Sequence, residues 1–287
     1  MIVCVDTYIV SLGQDREGTT GQRLNNSLSV RQACYNAPLF KHKSPPMALS
    51  ILYQDAHIVV VNKPSGLLVH KSWVAKDAKE FALQMVRDQV GEFVYPVHRL
   101  DRPTSGVLLF AFSGELAGII QQNWQQAEKT YWALVRGWLK EPVLVDHALK
   151  GMKDYGQDQD KAQEAQTEFK PLAQIEIDAA IDRYPKSRFS WIQATPKQGR
   201  THQIRRHLKH LSHPIIGDAR YGKGNYNRYF SDELNCHRLL LHARSLSFMH
   251  PVTAKNIEII APLEGHMEAL FTGFGFSQTP QELQPLD

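Results

Sequence analysis

The chain has 287 residues, 43% hydrophobic and 22% charged, an ordinary globular balance with room for one large domain or two small ones. No apolar stretch approaches the ~18 residues a membrane span requires, and the start, Met1-Ile2-Val3-Cys4-Val5-Asp6, lacks a basic leader, which makes the bacterial cytosol the expected address. Three widely spaced cysteines indicate neither a disulfide framework nor a metal site, and a net charge of +4 is too small to identify a nucleic-acid partner.

Residues 1–46 are polar and rich in Asn, Gln, Ser and Thr, with no sustained period beyond the first dozen. They read as a disordered extension or a mis-assigned start, with Met47 as the true initiator and 47–287 as a single domain. Leu49–Asp55 and His57–Asn62 are expected strands, the second closed by the turn Lys63-Pro64-Ser65-Gly66. Lys79–Val90 carries apolar residues at helical spacing, and Leu116–Gln126 is a second helix. Between them, Val107–Phe112 has the composition of a buried strand, and Lys129–Trp138 is strand-like. Gly151–Gln166 is polar and reads as an exposed insertion. Strands at Thr167–Ile177, Phe189–Thr195 and Arg238–Phe248, with a helix at Thr201–Leu211, complete an irregular order that points to α+β rather than to a βαβ repeat.

The loop ahead of the buried strand, His98-Arg99-Leu100-Asp101-Arg102-Pro103-Thr104-Ser105-Gly106, delivers one carboxylate to the lip of a sheet. Arg99 and Arg102 flank Asp101, and nearby positive charge favours the ionised form, which suits nucleophilic or electrostatic work better than proton donation. Thirty residues on, Lys129-Thr130-Tyr131 opens a strand. A tyrosine there is ordinarily core packing, but its ring also offers a stacking face to a base. Gly199-Arg200-Thr201-His202-Gln203-Ile204-Arg205 leads into a helix that Thr201 could cap, burying Ile204, Leu208 and Leu211 and presenting Arg205, Arg206 and Lys209. Seven of the eleven residues from Arg200 to His210 are Arg, Lys or His, a patch of the kind that tracks phosphates. The spacing of His207, His210 and His213 could suggest a metal site. Pro214 ends the helix, however, so the three cannot share a face, and no metal is expected.

These three segments resemble the signature blocks of the RluA-type pseudouridine synthases: His-Arg-Leu-Asp with Thr-Ser-Gly, Lys-x-Tyr, and Gly-Arg-x-His-Gln-x-Arg. The blocks Asn62–His70, His213–Asp218 and Leu241–Ala243 extend the likeness, which runs from about Leu49 to about Pro262. The resemblance implies the pseudouridine synthase α+β fold, a mixed, mainly antiparallel sheet with a central RNA-binding cleft. It implies isomerisation of uridine to pseudouridine in RNA without cofactor or metal. Asp101 is the implied nucleophile or base, Tyr131 the stacking residue, and Arg205 the partner that holds Asp101 through a bidentate guanidinium. Arg99 is the candidate for filling the space of a flipped nucleotide, and Arg200, Arg206 and Lys209 for meeting the RNA. The Lys63–Gly66 turn and the 213–218 loop are read as structural support. Within the family, Val69-His70-Lys71-Ser72-Trp73 and Arg102-Pro103 favour the branch acting on uridine 65 of tRNA, as a monomer with no membrane or obligate protein partner. Ribosomal RNA is the alternative substrate, and a non-catalytic RNA-binding module the alternative class. The intact Asp–Tyr–Arg set favours catalysis, since binding alone has no use for Asp101.

Overall fold

The computed structural model describes residues 6–12, 23–25, 48–70, 80–158, 160–278 and 283–285. Lys71–Trp73 and most of the first 46 positions therefore lie outside the described residues. In chain order the strands are β1 (Asp6–Leu12), β2 (Arg23–Asn25), β3 (Ser50–Gln54), β4 (Ile58–Lys63), β5 (Tyr95–Pro96), β6 (Ser105–Ala111), β7 (Glu128–Arg136) and β8 (Val143–Asp146). They continue with β9 (Leu149–Lys150), β10 (Ala162–Gln163), β11 (Gln166–Ile177), β12 (Ser187–Pro196), β13 (Leu241–Met249), β14 (Asn256–Ile260), β15 (Phe276–Gln278) and β16 (Leu283–Pro285). The helices are α1 (Ala82–Val90), α2 (Gly114–Gln122), α3 (Gln203–His210), α4 (Gly224–Leu234) and α5 (His266–Gly273).

One twelve-stranded sheet organises the molecule, in the order β2-β1-β11-β12-β7-β13-β6-β4-β3, with β14, β5 and β8 pairing off that path. Its named strand pairs are antiparallel except β13 with β6. The fold is the mixed, mainly antiparallel α+β arrangement expected from the sequence. All seven residues of β6 are buried because the sheet is covered on both faces. Successive side chains point to opposite faces, so Val107, Leu109 and Ala111 enter one core with Ile58 and Val60 of β4. Leu108 and Phe110 enter another with Val59, Val61 and Val86 of α1. A third core joins β7 and β12 to α3, α4 and α5 through Leu134, Trp191, Leu208, Phe230 and Phe271. Among the described residues no helix is long and apolar enough to cross a membrane.

Local chemistry explains where the elements differ from expectation. The second helix stops at Gln122, four residues early, after a start fixed by Ser113, whose Oγ accepts the Leu116 N–H at 3.1 Å. Thr201 does not cap α3. His202 holds that position in a left-handed conformation (φ 55°) without a side-chain cap bond, and Gln203 Oε1 accepts the Arg200 N–H instead. Residues 151–166 are not a bare insertion: Met152 and Ala165 are buried, and a turn at Lys153–Tyr155 folds back towards α3.

Candidate active site

The parallel pairing of β6 with β13 places the candidate residues. Lys63, Gly106, Ala243, Tyr131 and Ala194 form one row across β4, β6, β13, β7 and β12. Gly106 has φ +111°, and a Cβ there would lie 2.2 Å from the Ala243 carbonyl oxygen, so glycine is what lets β6 and β13 approach. The Asp101 loop enters this row directly, its turn closed by the Thr104 N–H donating to the Asp101 carbonyl at 3.0 Å. Beneath it, the buried Lys63 ammonium donates to the carbonyls of Pro64 (2.8 Å), Leu67 (2.8 Å) and Arg102 (3.3 Å). Burial pushes Lys63 down to about 7, helped by the nearby Arg238 charge and opposed by Asp101. Ser105 anchors the far end of the loop. Its Oγ accepts from Arg238 Nη2 at 2.6 Å and lies 2.8 Å from His242 Nδ1, while the His242 Nε2–H faces the Ala261 carbonyl at 3.1 Å.

Arg205 joins two carboxylates. Its Nη1 donates to Asp101 Oδ2 at 3.1 Å, while Nε and Nη2 grip Asp218 Oδ2 and Oδ1 at 2.8 and 2.9 Å. The bidentate fork expected for Asp101 thus belongs to Asp218, and Asp101 is oriented by a single N–H. Arg205 is also not on the solvent face of α3 but buried beside Ile204, which its two anionic partners make tolerable. Burial works to lower the Arg205 guanidinium, but the bonds and charges of Asp218 and Asp101 outweigh it and raise it. Burial likewise works to raise the Asp218 carboxyl, yet Arg205 and the backbone N–H groups of Tyr221 and Arg220 hold it below its usual range. The Tyr221 ring packs under the guanidinium with its centroid 5.3 Å away.

Tyr131 is half-buried at the start of β7, and burial, with the Asp101 charge, raises its hydroxyl. It therefore stays a neutral phenol, able to stack and hydrogen-bond. His202 completes the rim. Its Nε2 lies 3.6 Å from Asp101 Oδ2, and burial pushes the ring down to about 4 against the pull of Asp101.

The structure thus brings Asp101, Tyr131 and Arg205 together. Arg99 is exposed on the Asp101 loop. Arg102 does not pair with Asp101; its Nε donates to the Gly66 carbonyl at 3.0 Å. Arg200 is half-buried with Nε on the Glu164 carbonyl at 3.0 Å, Arg206 donates to the Lys150 carbonyl at 2.9 Å, and Lys209 is exposed. The histidine run is structural. His207 meets Thr167 Oγ1 and the His147 carbonyl, and His213 meets the Arg136 carbonyl. Sequence reasoning missed Asp218, His202, Tyr221 and the role of Lys63. The signal for Asp218 was present: an acid directly after the apolar Ile215-Ile216-Gly217 must find a cation if buried.

The Asp101 carboxylate is thus presented on a loop in the middle of the sheet, held by a doubly anchored arginine beside a neutral tyrosine. The RNA pseudouridylate synthase family matches residues 57–210, which include Asp101, Tyr131 and Arg205, and the chain belongs to that family. It is similar to tRNA pseudouridine synthase C of Vibrio parahaemolyticus, 45% identical over 240 residues that cover 81% of this chain and 98% of that protein. The protein of the same name from Haemophilus ducreyi is 44% identical over 239 residues, covering 81% of this chain and 98% of the relative. Human RNA Pseudouridylate Synthase Domain Containing 1 shares the fold, with a TM-score of 0.61 at 24% identity, covering 85% of this chain and 93% of that one.

Proposed function

We propose that this enzyme isomerises uridine to pseudouridine in tRNA, at uridine 65, and that Asp101 is its essential nucleophile or base. The observation that carries the reading is the Asp101 carboxylate, held at 3.1 Å by an arginine that Asp218 fixes in place. The isomerisation breaks the N1–C1′ bond, forms C5–C1′ and moves a proton from C5 to the freed N1, so it is redox-neutral. A fixed carboxylate can act at the sugar or at the base, and the neutral Tyr131 ring can stack on uracil and assist at C5. In this reading Arg205 positions Asp101, and Arg99 occupies the space left by the extruded nucleotide. Arg200, Arg206 and Lys209 serve the phosphates. The named relatives support tRNA as the substrate. The same reading has a monomer acting in the cytoplasm with no obligate protein partner or cofactor, and residues 47–287 carrying the activity.

The test is carbodiimide mapping of pseudouridine by primer extension in a deletion strain. Loss of the mark at tRNA position 65, restored by the wild-type gene and not by Asp101→Asn, is expected. A tRNA that keeps its mark while a ribosomal position loses it would overturn the assigned substrate.

A further inference from the structure

Between β9 and β10 the chain makes contacts that the proposed roles leave unused. The Tyr155 hydroxyl lies 3.0 Å from His202 Nε2, with the two rings edge to face at 5.3 Å. The Gln157 Nε2 donates to Thr201 Oγ1 at 2.7 Å, and its Oε1 accepts the Met152 N–H at 3.1 Å, so the turn is clamped to the start of α3. On the other side of His202, Nδ1 lies 3.1 Å from the Tyr221 hydroxyl, which donates to Met152 Sδ at 3.6 Å. His202 is therefore bracketed by two tyrosines, and both lean on Met152 or its turn.

The pairing favours one tautomer of the ring. With the Tyr221 O–H directed at Met152 Sδ, its oxygen is open to a His202 Nδ1–H, and the lone pair on Nε2 can then accept the Tyr155 O–H. Asp101 Oδ2 faces that same Nε2 at 3.6 Å, beyond hydrogen-bond length. A carboxylate there attracts an Nε2–H, and in the tautomer carrying one a small turn of the ring would bring a second donor to the oxygen that already accepts from Arg205. That extra donor would draw down the electron density that the proposed chemistry needs. Tyr155 is the group that opposes this tautomer.

We propose that Tyr155 is a positioning residue for the reaction, acting through His202: its hydroxyl holds the ring in the Nδ1–H form and keeps a second donor off Asp101. The inference rests on the function proposed above. It makes the turn at Lys153–Tyr155 part of the active site through one hydroxyl group, not merely a cover over it.

The test compares wild type with Tyr155→Phe, which keeps the ring and its edge contact at a position 38% exposed and so preserves folding. Two readouts are taken: the 15N shifts of the His202 ring, assigned with His202→Gln, and single-turnover rates on a tRNA transcript over a range of enzyme concentrations. The wild-type ring is expected as the neutral Nδ1–H form and the variant ring as Nε2–H. The variant's saturating rate is expected to fall about tenfold, the effect of one misplaced hydrogen bond, with half-saturation changed by less than about twofold. An Nε2–H ring in wild type, an unchanged tautomer in the variant, an unchanged rate, or a loss confined to affinity overturns the inference. Failure of the functional reading looks different, because the wild type would then make no pseudouridine in the transcript, whatever its tautomer.

Discussion

Replacing Asp101 by Asn keeps the side-chain shape and removes the charge that Arg205 faces at 3.1 Å. Asp101→Asn is expected to abolish turnover while tRNA affinity stays within about threefold, since the residues proposed to meet the phosphates lie elsewhere. Single-turnover assays and filter binding check it, and a variant keeping about a tenth of the wild-type rate would remove Asp101 from its role. On α3, neighbouring cations are proposed to separate by function. Arg205→Ala should depress the chemical step by about 2–3 kcal/mol, because it removes a charge-assisted bond and leaves Asp218 buried without its partner. Lys209→Ala should instead leave the chemical step alone, weaken binding regardless of sequence and flatten the salt dependence of log K by a little under about one unit. Binding measured at several salt concentrations beside single-turnover rates distinguishes the two, and an Arg205→Ala variant changed only in affinity contradicts the role given to that arginine.

At the scale of elements, the site depends on β6 and β13 lying close enough to pair in parallel. Gly106→Ala places a methyl group against the Ala243 carbonyl in a left-handed backbone region, where something must shift. The expected cost is about 3 kcal/mol or more, seen as a melting temperature lower by roughly 6–12 °C together with lost activity. A melting temperature within about 2 °C of wild type would mean that the two strands can part without harm. The strands of this region were readable from sequence for the reason that makes them stable. A strand covered on both faces must be apolar at every position, and Val107–Ala111 is. Helix α4 carries an equally legible signal: Tyr226, Phe230 and Leu234 recur at four-residue intervals and are all buried. The turn at 153–155 was not readable, because polar residues that dock through hydroxyl and amide groups leave no hydrophobic period.

Across the whole molecule, several buried or half-buried histidines are held neutral and tie its acid stability together. Burial pushes His98 and His242 down to about 3, and His202 to about 4, against an ordinary value near 6.5. The folded state thus binds fewer protons than the unfolded state below that ordinary value. The stability these groups contribute is fully present above about pH 6.5 and is lost as pH falls towards their folded values. His98 shows why: its Nε2 accepts the Leu109 N–H at 3.1 Å, which a protonated ring cannot do. Thermal melts should show a falling transition temperature from about pH 6.5 down to about pH 4, and a flat profile over that range would contradict it. A chain beginning at Met47 is expected to fold and modify tRNA like the full chain, because the sequence before it is polar and shows no sustained period beyond the first dozen residues. The strand β1 pairs with the edge of β11. A large loss of stability or activity on truncation would show that this pairing matters to the domain.

Asp101, Tyr131 and Arg205 could be picked out before any fold was known, because each sits in a short string that resembles a signature block of the pseudouridine synthases. The alternation between strands and helices and the apolar run of β6 were open to the same kind of reading, since burial period and turn residues are local properties. Which partner each charge takes is not local. Asp218 lies 13 residues from Arg205 and Asp101 lies 104 away, and it is the parallel β6–β13 pairing and the buried end of α3 that bring both carboxylates to one guanidinium. That convergence gave the bidentate grip to Asp218 and a single N–H to Asp101. A string of residues records which charges exist, but their distances, on which Coulomb and hydrogen-bond energies depend, arise only when distant segments pack.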